Sequence, residues 1–562
     1  MIKNNNYLQL KTSNCKNCYK CIRHCPVKSI KFSGNQAHIV ADECVLCGTC
    51  YVVCPQSAKE IRNDVSNVRE LLSSGKPVIA SIAPSFAANY KNATIASMDK
   101  ALRKLGFAFA EETAVGAEIV KNQYIEMLKC HESDVIISSC CSTINLLIQK
   151  YYPELIPMLA HVLTPMQTHC KKLKEENSDC YTVFIGPCVS KKSEADQYEG
   201  YADAVLTFKE LTNWLKDENI ELEHDEDIEK KGRSRLFPTN GGILRSMTSK
   251  EETDYNFIAV SGTENCLKAL EDIKSGGIKN CFIEMSSCDE SCIGGPAMDT
   301  KNASPVSGYI AVSRYAGQND VVDKNYSREE MYLDFVPSQI NTELPTEKQI
   351  AEILMKMGKT RPEDELNCGS CGYNTCREKA KAVFSGKADF TMCLPYLKDK
   401  AESFSDNIIN NTPNGILVLN EDFEVQLINK AACKIMNVKN PSDVLGSPVV
   451  RILNPTEYIS VLNDGKNVYE KKTFLAEYQK YVEETIIHDS NYHVIMSIMR
   501  DITNDEAERS KKENTNRQAI EITDKVIEKQ MRVVQEIASL LGETTAETKI
   551  ALSKLKETLT DE

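Results

Sequence analysis

Twenty-three cysteines stand in this 562-residue chain, and they are grouped rather than scattered. Soft thiolates in tight groups suit iron–sulfur clusters or zinc. The first group, Cys15, Cys18, Cys21 and Cys25, repeats at Cys44, Cys47, Cys50 and Cys54 with the same 29-residue offset at every position, which is an internal duplication. Others fall at 140, 141, 188, 288 and 292, and a last group at 368, 371, 376 and 393. The polar start MIKNNNYLQLK lacks the apolar core of a signal peptide, so metal centres in a cytoplasmic protein are expected rather than secreted disulfides. With 42% hydrophobic and 26% charged residues the chain is globular, and its length predicts three to five domains. The longest apolar stretch, residues 77–88, is broken by Ser81, Pro84 and Ser85, well short of the roughly 18 residues of a membrane span. A net charge of −13 and a single tryptophan argue against nucleic acid as a partner.

Both N-terminal repeats read C-x2-C-x2-C-x3-C-P, the spacing of bacterial ferredoxins that hold two 4Fe–4S clusters and lend the fourth cysteine to the other cluster. The sets are therefore Cys15, Cys18, Cys21 and Cys54, and Cys44, Cys47, Cys50 and Cys25. Structural zinc favours two separated pairs instead of a triplet plus one. Residues 1–62 carry nine Lys/Arg against three Asp/Glu, enough to offset anionic clusters or to receive an acidic electron carrier such as ferredoxin.

Three further motifs follow: Ser138-Ser139-Cys140-Cys141-Ser142, Gly186-Pro187-Cys188-Val189-Ser190-Lys191-Lys192-Ser193-Glu194, and Glu284-Met285-Ser286-Ser287-Cys288-Asp289-Glu290-Ser291-Cys292-Ile293-Gly294-Gly295. With Ala83-Pro84-Ser85, Thr164-Pro165, Phe237 and Gly241-Gly242, they resemble the active-site domain of the iron-only (FeFe) hydrogenases over residues 77–340. The resemblance implies an H-cluster, in which Cys141, Cys188, Cys288 and Cys292 hold a cubane and Cys292 bridges to a diiron subcluster with CO and cyanide ligands. It also implies Cys140 as first proton relay, its side chain pointing opposite to that of Cys141 in extended backbone, and Lys191 and Ser85 as donors to the anionic cyanides. Ser142, Gly186 and Ser286 depart from the family's Pro, Met and Met, and Gly116 and Ala117 fall where the family's acidic proton exit is expected. These departures are similar to those of the sensory subgroup.

Cys368, Cys371, Cys376 and Cys393 resemble the four-cysteine 4Fe–4S module of acetyl-CoA decarbonylase and electron-transport subunits, zinc being the alternative. Residues 403–503 resemble a PAS domain. Beyond them Ile520, Ile527, Val534 and Leu541 recur every seven residues, and Gly542 with Thr544 and Glu547 predicts a stop and a capped second helix, a hairpin or coiled coil that allows a homodimer. Isolated Cys130, Cys170, Cys180, Cys266, Cys281 and Cys433 are expected to be buried hydrophobes.

The expected architecture is multidomain α/β and α+β. It comprises a two-cluster ferredoxin fold (1–62), an α/β H-cluster domain with a largely parallel sheet (63–345), a four-cysteine domain (346–402), a PAS-like domain (403–503) and a helical tail (504–562). The expected function is hydrogen or redox sensing with slow, reversible H2 = 2 H+ + 2 e− chemistry, served by three accessory 4Fe–4S clusters and an H-cluster. Expected partners are H2 and protons, an electron carrier, hydrogenase maturation proteins and a separate signalling protein reached through the tail. A bulk ferredoxin-dependent hydrogenase and a non-catalytic iron–sulfur scaffold are the alternatives.

Overall fold

The computed structural model describes residues 6–223, 232–247, 254–299, 304–322, 324–340 and 343–558. It divides into two compact units, Met1–Leu397 and Lys398–Glu562.

The first unit is built round seven short strands, Val78–Ile82 (β1), Phe109–Glu112 (β2), Val135–Ile137 (β3), Tyr181–Gly186 (β4), Ala204–Thr207 (β5), Asn256–Ser261 (β6) and Cys281–Ser286 (β7). All five residues of β1 are buried, as are those of β3 and β5, the mark of parallel strands covered on both faces. The sequence led us to expect one largely parallel sheet. The strands instead form two, in the orders β2-β1-β4-β5 and β6-β7-β3, every pairing parallel. Helix Ala114–Lys129 (α1) explains the division: it is buried on most sides, as a helix between packed layers must be, and carries the chain from β2 of one sheet to β3 of the other. Each sheet has its own apolar core, one containing Ile136, Ile144 and Phe282, the other Val78, Met98 and Val183.

Three helices start from the ends of these strands or pack on them: Ser142–Tyr151 (α2), Pro165–Glu176 (α3) and Ser190–Gln197 (α4). Thr164 caps α3, accepting from the Gln167 N–H while Pro165 occupies its first turn. At the N-terminal end of the unit, helices Lys20–Arg23 and Thr49–Val52 follow the two cysteine triplets at equivalent positions, consistent with the duplication. The helix expected over 63–76 runs Val65–Ser73, and Gly75 then turns the chain at φ +86°. The four-cysteine segment packs on the N-terminal repeats: Phe32 donates its N–H to the Lys387 carbonyl at 2.7 Å, and Arg23 donates to Gly369 O at 3.2 Å.

The second unit holds a five-stranded antiparallel sheet of Gly415–Asn420, Val425–Ile428, Val468–Leu475, Lys480–Asp489 and Val494–Asp501, in spatial order second, first, fifth, fourth, third. A single helix, Thr503–Thr558 (α5), follows. Here the expected hairpin is corrected. Gly542 lies inside the helix without positive φ, and Thr544, Thr545 and Thr548 donate their hydroxyls to carbonyls one turn back rather than capping a second helix. A glycine costs an exposed helix only about 1 kcal/mol, too little to break one of this length. Leu559, expected on the second helix, lies outside the described residues. Among the described residues no helix is long and apolar enough to cross a membrane.

Candidate active site

In a parallel sheet all carboxyl ends lie along one edge, where open α/β sheets place ligands. Both sheets use that edge here. Ser138–Cys141 leave β3, Pro187-Cys188 leave β4, Ser287-Cys288 leave β7, and Ala83-Pro84-Ser85 leave β1. These segments meet round one cavity of about 120 Å³, lined by Cys140, Cys141, Cys188, Cys288 and Cys292 and walled by Ala83, Pro84, Phe184, Pro187, Phe237, Pro238 and Met285. Cysteines up to 152 residues apart in sequence thus share one chamber. Burial raises the thiols of Cys141, Cys288 and Cys292, and the neighbouring cysteines raise them further. Cys292 opens onto the chamber although it lies deep in the protein, which reconciles its exposed surface with its raised thiol. A cation or cluster that takes these sulfurs as thiolates removes that penalty.

The other predicted residues sit on the same walls. The Cys140 thiol is 3.1 Å from the hydroxyl of Tyr124, which accepts the Ser139 N–H at 3.1 Å, and burial pushes Cys140 up to about 12. Lys191 lines the chamber and donates to Glu194 Oε2 at 2.6 Å. Its charge favours the thiolates of Cys140, Cys141 and Cys292. Ser142 and Thr164 donate to the same Glu194 carboxylate, so the hydroxyl that stands in place of a proline has a structural task. The Ser85 hydroxyl is fully buried on the chamber wall with no hydrogen-bond partner, the state of a group built to meet a ligand. Gly186 admits no side chain without repacking, because a Cβ there would lie 2.8 Å from the Phe184 ring.

Two groups escaped the sequence reading. Tyr124 comes from α1, sixteen residues before Cys140. Glu284 lies on the chamber wall, and burial raises it to about 7 despite an N–H bond from Leu244 at 3.1 Å. Glu284 was visible in the third motif, but nothing in the motif signalled its burial. Of the positions expected at the proton exit, Gly116 packs against Pro165 O and His169, and Ala117 lines the chamber without a polar atom.

The N-terminal cysteines approach one another as the duplication requires. Cys15, Cys18 and Cys54 all raise Cys21, while Cys25, Cys44 and Cys47 all raise Cys50. The second set adjoins the chamber. A Cβ on Gly48 would lie 2.5 Å from Pro296, and Cys47 raises Cys288. Cys368, Cys371, Cys376 and Cys393 line a separate small cavity with Lys359 and Lys379. Burial brings Lys379 down to about 8 although Cys371 and Cys393 favour its charge. Among the described residues no three Cys, His, Asp or Glu side chains converge on a single-ion site. Of the isolated cysteines, Cys170, Cys180, Cys266, Cys281 and Cys433 are buried as expected; Cys130, just past the end of α1, is exposed.

Comparison with known proteins agrees with this geometry. The model of the iron only hydrogenase large subunit, C-terminal domain, matches residues 76–296, a 4Fe-4S dicluster domain matches residues 7–55, and an Fe-S cluster model matches residues 364–395. The chain is 26% identical over 360 residues to the periplasmic [Fe] hydrogenase large subunit of Nitratidesulfovibrio vulgaris, which spans 51% of this chain and 85% of that protein. It is 25% identical to iron hydrogenase 1 of Clostridium pasteurianum, over 43% of this chain and 53% of that one. It is also 27% identical to the cytosolic Fe-S cluster assembly factor NAR1 of Kluyveromyces lactis, over 33% of this chain and 43% of that one. Cysteines gathered from three strand ends onto one chamber, beside an N-terminal dicluster segment, make this iron–sulfur chain a member of the iron-only (FeFe) hydrogenase family.

Proposed function

We propose that the chain carries out reversible H2 chemistry at an H-cluster and uses it to sense hydrogen or redox state. The observation that carries this reading is the unpartnered Ser85 hydroxyl on a chamber that also holds four ligand cysteines, Cys140 and Lys191. A chamber holding only a cubane leaves that buried donor without use, and a buried donor left unpaired costs about 1–3 kcal/mol. The residues therefore fit the diiron group. Cys141, Cys188, Cys288 and Cys292 hold the cubane, Cys292 joins it to the diiron part, and Ser85 and Lys191 face the anionic ligands. When bound, the group supplies heterolytic cleavage of H2. The chain excludes bulk water with its apolar walls and presents the Cys140 thiol, held by Tyr124, as a proton carrier. Electrons pass through the N-terminal sets, the second of which adjoins Cys288, to an electron carrier. The four-cysteine module holds a further 4Fe–4S cluster.

Residues 403–503 serve as a PAS-type sensor domain. Their sheet order suits that fold, and the domain keeps a buried polar group, Glu484, satisfied by the hydroxyls of Tyr458 and Ser497 at 2.6 Å each. Similarity to NAR1 favours a second reading, a scaffold without the diiron part.

Infrared spectroscopy of the anaerobically matured full chain separates the two readings, because iron-bound CO and cyanide absorb where protein does not. We expect those bands together with about eighteen irons, from four cubanes and a diiron site. We expect Cys292→Ser to abolish the bands, since it removes the thiolate that joins the two parts. Cys140→Ala should keep the bands and slow H/D exchange. Wild-type protein with full cubanes and no such bands would make the scaffold reading correct.

A further inference from the structure

The chamber has a second polar exit, on the side away from Cys140. Thr113, on the chamber wall, places Oγ1 2.7 Å from Ser81 Oγ, and Ser81 Oγ lies 2.8 Å from Nδ1 of His169. On the far side of the ring, Nε2 lies 3.2 Å from Oε2 of Glu111. Thr113, Ser81 and His169 are buried, whereas the Glu111 side chain is 35% exposed. The four residues come from three elements. Ser81 lies on β1, Glu111 and Thr113 at the end of β2, and His169 on α3 where that helix packs against Gly116 of α1.

We propose that Thr113, Ser81, His169 and Glu111 form a proton path between the chamber and solvent. The proposal rests on the hydrogen chemistry above. Three features support a path over a merely satisfied buried histidine. The bonded row runs without a gap from the chamber to a solvent-touching carboxylate. Every buried member can both give and accept a proton, as hydroxyls and neutral imidazole do. The neighbouring acids are committed elsewhere: Glu112 accepts a two-pronged pair from Arg235 at 2.6 and 3.0 Å and the Tyr315 hydroxyl at 2.6 Å, and Glu118 accepts the N–H groups of Val321 and Val322. Glu111 instead meets His169 and, at 3.7 Å, Lys172, and those neighbours hold it below the usual carboxylate range although burial opposes them. It is thus an ionised acceptor at the mouth of the row.

The transfer balances. A proton from the chamber goes to the Thr113 hydroxyl as Thr113 passes its own to Ser81. Ser81 passes its own to Nδ1 of His169, and His169 releases the Nε2 proton to Glu111, which yields it to water. Each member takes one proton and gives one, and rotation of the hydroxyls and the ring restores the starting orientation. No electron moves along the row.

The test uses full-length, matured protein and the variants Ser81→Ala, Ser81→Thr and Glu111→Gln. We expect Ser81→Ala and Glu111→Gln to lower H/D exchange by about tenfold or more, the low end of what a positioned proton carrier contributes. The CO and cyanide bands and the KM for H2 should not change, and Ser81→Thr should restore most of the loss. Infrared difference spectra between oxidised and H2-reduced protein should contain a carboxyl band that Glu111→Gln removes. Exchange within about twofold of wild type in both variants, with that band retained in Glu111→Gln, would overturn the path. Loss of the CO and cyanide bands from the wild-type protein itself would instead overturn the hydrogen chemistry on which it rests.

Discussion

Glu284 carries a pH signature that belongs to a single side chain. Burial raises its carboxyl from 4.5 to about 7, so the folded chain favours the neutral form. A raised carboxyl adds stability that is fully present below 4.5, where both states are protonated only at the same cost, and it is lost as pH rises through about 7. Glu284→Gln is neutral throughout. Its unfolding midpoint should therefore gain on that of the parent between pH 4.5 and 7 and hold level above, the gain amounting to about 3 kcal/mol at most. A constant offset across this range, read by calorimetry on the full chain, would mean that Glu284 is not held neutral. The ligand cysteines were legible because cluster spacing is local and rigid. Tyr124 and His169 were not, because each meets its partner only through the packing of α1 or α3, and no spacing rule joins residue 169 to residue 111.

Glycine separates the elements by a physical test of the same change at two places. Gly116 sits in α1 where α3 crosses it, and a Cβ there would lie 2.4 Å from Pro165 O and 2.8 Å from His169. Gly116→Ala must push the two helices apart and should destabilise the first unit by about 1–3 kcal/mol. Gly542 sits in α5 with nothing within 4 Å of a Cβ, so Gly542→Ala should stabilise that helix by about 1 kcal/mol. Thermal unfolding followed by circular dichroism reads both, and equal signs would contradict the packing described. The strands were legible from apolar runs such as Val78–Ile82, and their ends correctly located the cysteines. The division into two sheets was not, since a parallel strand carries no local mark of which sheet it joins. The continuous α5 was missed because Gly542 and Thr544 satisfy the local rules for a stop, while the cost of ignoring them is small against 56 residues of helix.

At the scale of the whole molecule, the chemistry and the signal fall in different compact units, Met1–Leu397 and Lys398–Glu562. The first unit contains every proposed ligand cysteine and the chamber. The second ends in a helix on which Ile520, Ile527, Val534 and Leu541 stand exposed at four successive heptad positions, with Val526, Val533 and Leu540 beside them. An apolar stripe of that length stays in water only at a cost, and a second copy of the same helix covers it in register. A sensor needs no more than this: the redox state of the first unit biases one arrangement of the second over another, and the paired helices pass the difference to a separate protein. Deleting residues 404–562 should therefore leave the infrared bands and H/D exchange nearly intact while converting dimer to monomer in sedimentation equilibrium. Val534→Glu in the full chain should do the same to the dimer without touching the bands, since a charge at the seam is desolvated on pairing. If the full chain were monomeric at micromolar concentration and evolved H2 from reduced ferredoxin at hundreds of turnovers per second, in the range of fast enzymes, the tail would have no signalling role and the bulk-catalyst reading would replace the sensor.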